Sequence, residues 1–262
     1  MTLGGRGLSR ILRAVVTRSH YVALAGVFRA LPRPWDALRR YLFAAGDYPV
    51  EVEVRTPLGP QRVRIDTQYD FKTLIEVFCR LDYAAPRDLR LAVDVGSNIG
   101  LTALYFLTRN REARAILFEP DPKNVARLRR HLAGFEGRWR LHEAAVGVED
   151  ATLSFSVEPT GRFGSLDPPE STPGAHRGET ITVACLDADR VLREIAAEHG
   201  AIDILKIDIE GWETRVLAHL GPEALAAIGL IYAEHPNDVP PPPGFERRRY
   251  GGMAIYRRAD AG

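Results

Sequence analysis

The chain has 262 residues, 45% of them hydrophobic and 26% charged, with 35 Lys and Arg against 34 Asp and Glu for a formal charge of +1. That composition can bury a full core; it excludes an intrinsically disordered chain and gives no electrostatic case for nucleic acid as a partner. The two cysteines, Cys79 and Cys185, lie far apart without metal-ligand spacing and read as small core residues of a protein in a reducing, cytoplasmic compartment.

Residues 1–35 carry Arg6, Arg10, Arg13, Arg18, Arg29 and Arg33 and no acid, interleaved with Ile11, Leu12, Val15, Val16, Tyr21, Leu24, Val27 and Phe28. A secretory signal needs a longer apolar core than the stretch from Tyr21 to Phe28, and no segment reaches the length of a membrane span. Two readings stay open. One is one or two amphipathic helices packed on the protein, the other a basic helix at an anionic membrane surface or on a partner protein. Val50 to Arg55 and Gln61 to Ile65 flank Pro57-Leu58-Gly59-Pro60 and predict a β-hairpin. An amphipathic helix follows, with Phe71, Leu74, Ile75, Phe78 and Cys79 on one face. These elements make residues 1–87 an N-terminal extension.

Residues 88–262 form the main domain, in which strands alternate with helices. Strands are expected near 90–95, 114–118, 139–144, 203–208 and 228–233, and helices near 99–108, 122–134, 185–198 and 211–219. This alternation predicts an α/β fold with a doubly wound, mostly parallel sheet covered on both faces, ending in an antiparallel hairpin, 246–250 with 253–258. The first strand, Leu91 to Val95, runs into Asp94-Val95-Gly96-Ser97-Asn98-Ile99-Gly100, an acid and a glycine-rich turn that opens a helix. Gly96 and Gly100 permit a tight turn and close backbone approach. The dinucleotide pattern G-x-G-x-x-G is absent, which favours a cofactor without a pyrophosphate. S-adenosylmethionine fits, because its cationic amino acid end and its ribose call for carboxylates. Asp94, Gly96, Ser97, Asn98 and Gly100 are assigned to the methionine side.

The next strand, Arg114 to Phe118, ends at Glu119-Pro120, one βαβ step from Asp94 and positioned to take two ribose hydroxyls. Ala145, after the third strand, is assigned to the adenine. Between expected strands at 151–157 and 180–184 lies a structureless loop, 158–177, that reads either as a lid carrying Arg162 and Phe163 or as disorder. The fourth strand, Ile202 to Asp208, alternates apolar residues with Asp203, Lys206 and Asp208 and turns at Glu210-Gly211 into a helix that starts with Glu213.

Four motifs in this order, Asp94-Val-Gly-Ser-Asn-Ile-Gly, Phe118-Glu119-Pro120, Ala145-Val146-Gly147 and Lys206-Ile-Asp208-Ile-Glu210-Gly-Trp-Glu213, closely resemble those of the FkbM-type methyltransferase family, over roughly residues 66–235. The resemblance implies a class I methyltransferase fold and methyl transfer from S-adenosylmethionine, usually to a hydroxyl of a sugar, glycan or other small-molecule natural product. One departure is Arg129-Arg130-His131, where an asparagine is common. A hydroxyl acceptor needs a base or a metal to take its proton. Asp208 and Glu210 end the fourth strand and Glu234-His235 the fifth, so Asp208, Glu210 and His235 are the catalytic candidates, with Asp208 also counted among the cofactor-binding residues. Asp208, Glu210 and Glu234 would be the oxygen ligands of a divalent cation, magnesium or manganese, were one used. The alternatives are a nicotinamide-dependent dehydrogenase with an atypical turn and a cofactor-binding protein without chemistry. The sequence names neither an acceptor nor an oligomeric state.

Overall fold

The computed structural model describes residues 2–3, 6–7, 18–157, 164–165, 179–209, 211–234, 240–250 and 252–259. The chain divides into two compact units, Met1–Ala84 and Ala85–Gly262.

In the first unit, helices α1 (Arg18–Ala30) and α2 (Pro34–Phe43) precede a hairpin of β1 (Val50–Thr56) and β2 (Gly59–Ile65), and α3 (Gln68–Leu74) widens into a π-helical turn, Ile75–Arg80. The hairpin register, from Val50 opposite Ile65 to Thr56 opposite Gly59, puts the turn at Pro57-Leu58 as the turn residues predict. Val54, Val63 and Ile65 point inward with Phe71, Leu74, Ile75 and Phe78. Thr67 starts α3 with a capping box: its hydroxyl accepts from the Asp70 amide at 3.2 Å, and the Asp70 carboxylate accepts from the Thr67 amide at 2.8 Å.

The second unit is built on a seven-stranded sheet. Its strands are β3 (Leu91–Val95), β4 (Arg114–Phe118), β5 (Trp139–His142), β10 (Ile202–Ile207), β11 (Ile228–Glu234), β12 (Phe245–Tyr250) and β13 (Met253–Arg258), in the spatial order β12-β13-β11-β10-β3-β4-β5. The five strands from β5 to β11 are parallel; β13 and β12 close the far edge as an antiparallel hairpin. The helices α4 (Leu101–Leu107), α5 (Pro122–His131), α6 (Ala188–His199), α7 (Glu213–His219) and α8 (Pro222–Ala226) connect them. Val191, Leu192 and Ile195 of α6, Val216 and Leu217 of α7 and Ala224 of α8 share one core with Val93, Val95, Leu205 and Ile207. The near-continuous apolar runs of β3, β4 and β10 are those of strands covered on both sides. The α/β, doubly wound, mostly parallel sheet with a terminal hairpin is therefore the observed fold.

Three expectations need correction. The strand placed at 139–144 stops at His142, and Ala145–Gly147 (β6) belongs to a second, four-stranded sheet with β7 (Ala151–Val157), β8 (Gly164–Ser165) and β9 (Glu179–Asp187). There β6 pairs in parallel with Cys185 to Asp187, which keeps that segment extended. Helix α6 consequently begins at Ala188, not 185, with Asp187 as its cap: Oδ1 accepts from the Arg190 amide at 2.8 Å. Within the expected loop 158–177, Gly164 and Ser165 pair with Val157 and Ser156. Arg162 and Phe163 lie outside the described residues. Helix α8 is announced only by Gly221-Pro222, a glycine followed by a first-turn proline.

Candidate cofactor site

Strand order reverses between β3 and β10. From β3 the chain winds outward through β4 and β5, then returns to place β10 and β11 on the other side. Open α/β sheets hold ligands at the carboxyl ends of the strands at such a reversal. Those ends here are Asp94-Val95 and Ile207-Asp208.

The turn after β3 is fixed mainly by backbone bonds. The Gly96 and Ser97 amides both donate to the Phe118 carbonyl, at 3.0 and 2.9 Å, and the Ser97 hydroxyl donates to the Asp94 carbonyl at 2.8 Å. The Gly100 amide closes the turn on the Ser97 carbonyl at 2.9 Å, and Asn98 sits at φ 48°, where its side chain accepts from the Ile99 amide at 2.7 Å. Gly96 has φ 79°, and a Cβ on it would lie 1.9 Å from the Asp208 carbonyl oxygen. A Cβ on Gly100, at φ 82°, would lie 2.9 Å from Leu128 Cγ. Close approach is indeed what these glycines allow, and the approaching groups are the end of β10 and helix α5. His131 was missed in this role. Buried at the end of α5, its Nδ1 stands 2.7 Å from the Ile99 carbonyl and ties the helix to the turn. The sequence signal was a histidine in a basic helix end, which by itself reads as solvated.

Glu119 follows β4 and is buried. One oxygen accepts from the Asn98 amide at 2.7 Å; the other accepts from the Asp121 amide at 3.0 Å and from Asn124 Nδ2 at 3.4 Å. Burial pushes its carboxyl up to about 7 against the pull of those N–H groups. Pro120 lies between it and Asp121, whose Oδ1 caps α5 by accepting from the Lys123 amide at 2.8 Å.

Asp94 and Lys206 are register partners on adjacent parallel strands, so they emerge on the same face. Asp94 is 0% exposed and Lys206 2%. Lys206 Nζ donates to the Gly96 carbonyl at 2.7 Å and stands 3.0 Å from Asp94 Oδ1 and 3.4 Å from Asp208 Oδ2. Burial raises the Asp94 carboxyl, opposed by Lys206; burial alone would lower the Lys206 ammonium, but Asp94 and Asp208 hold it above its ordinary value. Asp94 Oδ2 is buried and receives no hydrogen bond among the described residues. Asp208 is a quarter exposed, at the rim of this buried group.

The other acids divide by role. Asp203 is architectural: Oδ2 accepts from the Arg90 and Leu91 amides at 2.6 and 3.0 Å and pins the start of β3. Glu213 closes the turn after β10, accepting from the Ile209 and Gly211 amides, both at 2.9 Å, and burial raises its carboxyl. Glu234 ends β11 half-buried; Glu210 and His235 lie outside the described residues. Among the described residues no three His, Cys, Asp or Glu side chains gather to hold a metal ion. Ala145 is buried in β6, in register with Cys185.

Compared with known protein families, residues 94–238, over half the chain, match the methyltransferase FkbM domain. The chain belongs to the FkbM methyltransferase family. Among curated proteins, this FkbM domain is similar to the AMB antimetabolite synthetase AmbE of Pseudomonas aeruginosa, at 28% identity over 70% of this chain and 10% of that protein. It is also similar to the 2-O-methyltransferase NoeI of Sinorhizobium fredii, at 28% identity over 55% of this chain and 62% of that one. The chain thus spans a tenth of the first relative's length and under two thirds of the second's. Among solved structures, a methyltransferase from Geobacter sulfurreducens aligns over 95% of both chains at 15% identity and a TM-score of 0.40. In the FkbM domain described here, the structure brings Asp94, Gly96, Ser97, Asn98, Gly100, Glu119 and Asp208 to the carboxyl ends of β3, β4 and β10 and adds Lys206 to them.

Proposed function

We propose that this FkbM methyltransferase transfers a methyl group from S-adenosylmethionine to a hydroxyl oxygen of a sugar, glycan or other hydroxylated metabolite. The observation that carries the reading is Asp94: a wholly buried carboxylate at the switch point, with Oδ2 lacking a hydrogen-bond donor among the described residues. Such an atom is costly unless a ligand supplies the donor, and the ammonium of a methionine moiety is one. Glu119 keeps acceptor capacity beyond its three N–H partners and would take the ribose hydroxyls. The pinned turn from Gly96 to Gly100 would hold the amino acid end, with Ala145 toward the adenine.

When bound, S-adenosylmethionine supplies an electrophilic methyl group on a sulfonium. The chain's task is then to hold an acceptor hydroxyl in line and to accept its proton. Asp208 suits this second role, since it stands at the end of β10 with part of its carboxylate exposed, next to the buried Asp94 and Lys206. The acceptor proton would end on Asp208, or on His235, which the sequence places just past the end of β11. Support for oxygen as the acceptor atom comes from the similarity to NoeI, a 2-O-methyltransferase. A divalent cation is not needed in this scheme.

The test is incubation of the purified protein with methyl-labelled S-adenosylmethionine and cell extract. Label in a glycan or small-molecule fraction supports the proposal, whereas label found only in protein or nucleic acid overturns it. Calorimetry with S-adenosylhomocysteine and NAD separates the cofactors: tight NAD binding with no S-adenosylhomocysteine signal would favour a dehydrogenase.

A further inference from the structure

Helix α1 carries two apolar faces. One, Ala23, Val27 and Ala30, is buried in the first unit, where α1 packs against the π-helical turn. The other, Tyr21, Ala25 and Phe28 at spacings of four and three, is exposed, with Tyr21 55% and Phe28 46% accessible. A helix needs only one apolar face to dock on its own protein. The second continues onto α2. Trp35, 74% exposed, meets Phe28 edge to face with ring centroids 5.3 Å apart, and Leu42 and Phe43 are also exposed at the far end of α2.

The charge alongside this band has one sign. From Arg18 to Phe43 the sequence holds five arginines and one acid, Asp36. That acid is already paired, its Oδ2 lying 3.0 Å from Arg40 Nε. Arg33, just before α2, and Arg39, between Trp35 and Leu42 on the exposed side of α2, are exposed and make no ion pair among the described residues. Trp, Tyr and Phe beside unpaired arginines is the composition that settles at the boundary of headgroups and acyl chains, the rings entering the boundary while the guanidinium groups meet lipid phosphates. No helix among the described residues is long and apolar enough to cross a membrane, so any such contact made by these helices is peripheral.

We infer that the exposed face of α1 and α2, centred on Phe28 and Trp35 and flanked by Arg33 and Arg39, docks on an anionic lipid surface. Charge complementarity selects this occupant: a neutral apolar partner would leave Arg33 and Arg39 without counter-charges, and an anionic polymer would leave Tyr21, Leu42 and Phe43 uncovered. The inference is independent of the cofactor site, whose residues all lie beyond Ala85.

Sedimentation of the full chain with vesicles tests it. The protein is expected to sediment with vesicles of phosphatidylcholine mixed with phosphatidylglycerol, to remain in solution with phosphatidylcholine alone, and to be released by salt. Each arginine at an anionic surface is worth about fivefold in affinity, so R33Q/R39Q should weaken binding on the order of twentyfold. F28S/W35S should abolish it. Both variants change exposed side chains; circular dichroism and S-adenosylhomocysteine calorimetry check that each stays folded. Equal binding to neutral vesicles, binding to neither, retention on heparin without vesicle binding, or Trp35-dependent self-association without vesicle binding would each overturn the inference.

Discussion

Lys206 and Asp94 face each other across β10 and β3 as register partners, with Nζ 3.0 Å from Oδ1, and both are sealed from solvent. The same ammonium reaches the Gly96 carbonyl, so one charge neutralises the buried acid and holds the turn that follows it. Removing one partner of a buried pair costs about 3 to 5 kcal/mol, because the other is left uncompensated. Lys206→Met should therefore lower the unfolding midpoint sharply in denaturant. The double variant D94N/K206M, with no buried charge left at this pair, should be more stable than Lys206→Met alone while still failing to bind S-adenosylhomocysteine. A double variant no more stable than the single would show that the pair is not what Lys206 contributes.

Gly96 and Gly100 should respond differently to alanine. At Gly96 the new methyl meets the backbone oxygen of Asp208 at 1.9 Å, and that oxygen cannot move without displacing the end of β10. At Gly100 the nearest atom, 2.9 Å away, is Leu128 Cγ, with Leu128 Cα next at 3.2 Å, so the clash is smaller by about 1 Å. Both positions add the strain of a positive φ, about 1 kcal/mol or more for an L residue. Thermal unfolding should find Gly96→Ala clearly less stable than Gly100→Ala; the reverse order would mean that the ends of β3 and β10 are not packed as described.

Much of this site is legible in the sequence, for physical reasons. An acid at the end of an apolar run, with glycines two and six residues on, specifies a strand, a tight turn and a helix using local chemistry alone. The β3 and β4 boundaries, Leu91 to Val95 and Arg114 to Phe118, accordingly match their expected positions. Pairings that depend on distant chain were not legible. Nothing near Ala145 reveals that it leaves the main sheet, since the cause is the partner segment Cys185 to Asp187 some forty residues away. Lys206 read as one polar position on a strand, because only the register of β10 against β3 sets it opposite Asp94. His131 was hidden likewise: its burial is decided by the Ile99 turn that it supports.

Glu119 predicts a pH dependence of cofactor binding. Burial places its carboxyl at about 7, above the ordinary 4.5. Two ribose hydroxyls are best accepted by the ionised form, so binding should favour the carboxylate and release a proton. Affinity for S-adenosylhomocysteine should be flat above about pH 8 and fall as pH drops through 7, approaching tenfold per unit. Without ligand the sign is opposite: ionising a buried Glu119 costs the folded state, and that cost is relieved as pH falls from 7 toward 4.5. Glu119→Gln should flatten the binding profile, and Glu119→Ala should weaken binding by about ten- to a hundredfold, as expected for lost hydrogen bonds to a charged group. Calorimetry in buffers of different ionisation enthalpy reads the released proton directly. A profile unchanged by Glu119→Gln would remove Glu119 from the ribose.

Asp208 and Glu213 lie five residues apart and should fail in opposite ways. Both Glu213 oxygens are taken by the Ile209 and Gly211 amides, so Glu213→Ala removes two part-buried hydrogen bonds to a charged group and should cost about 1 to 3 kcal/mol of stability. Its effect on turnover should follow only from the fraction of protein folded. Asp208 instead keeps a quarter of its side chain exposed at the rim of the site. In the proposed role of taking the acceptor proton, Asp208 predicts that Asp208→Asn lowers kcat on the order of a hundredfold while changing S-adenosylhomocysteine affinity little, since a general base acts in the transition state and not in cofactor binding. His235→Ala, one residue past β11 in the sequence, is expected to act in the same sense if the proton is shared. Full turnover in both Asp208→Asn and His235→Ala would remove these two residues as the base. Loss of activity with a chelator, restored by magnesium or manganese, would assign the proton's acidity to a metal held by Asp208, Glu210 and Glu234 instead.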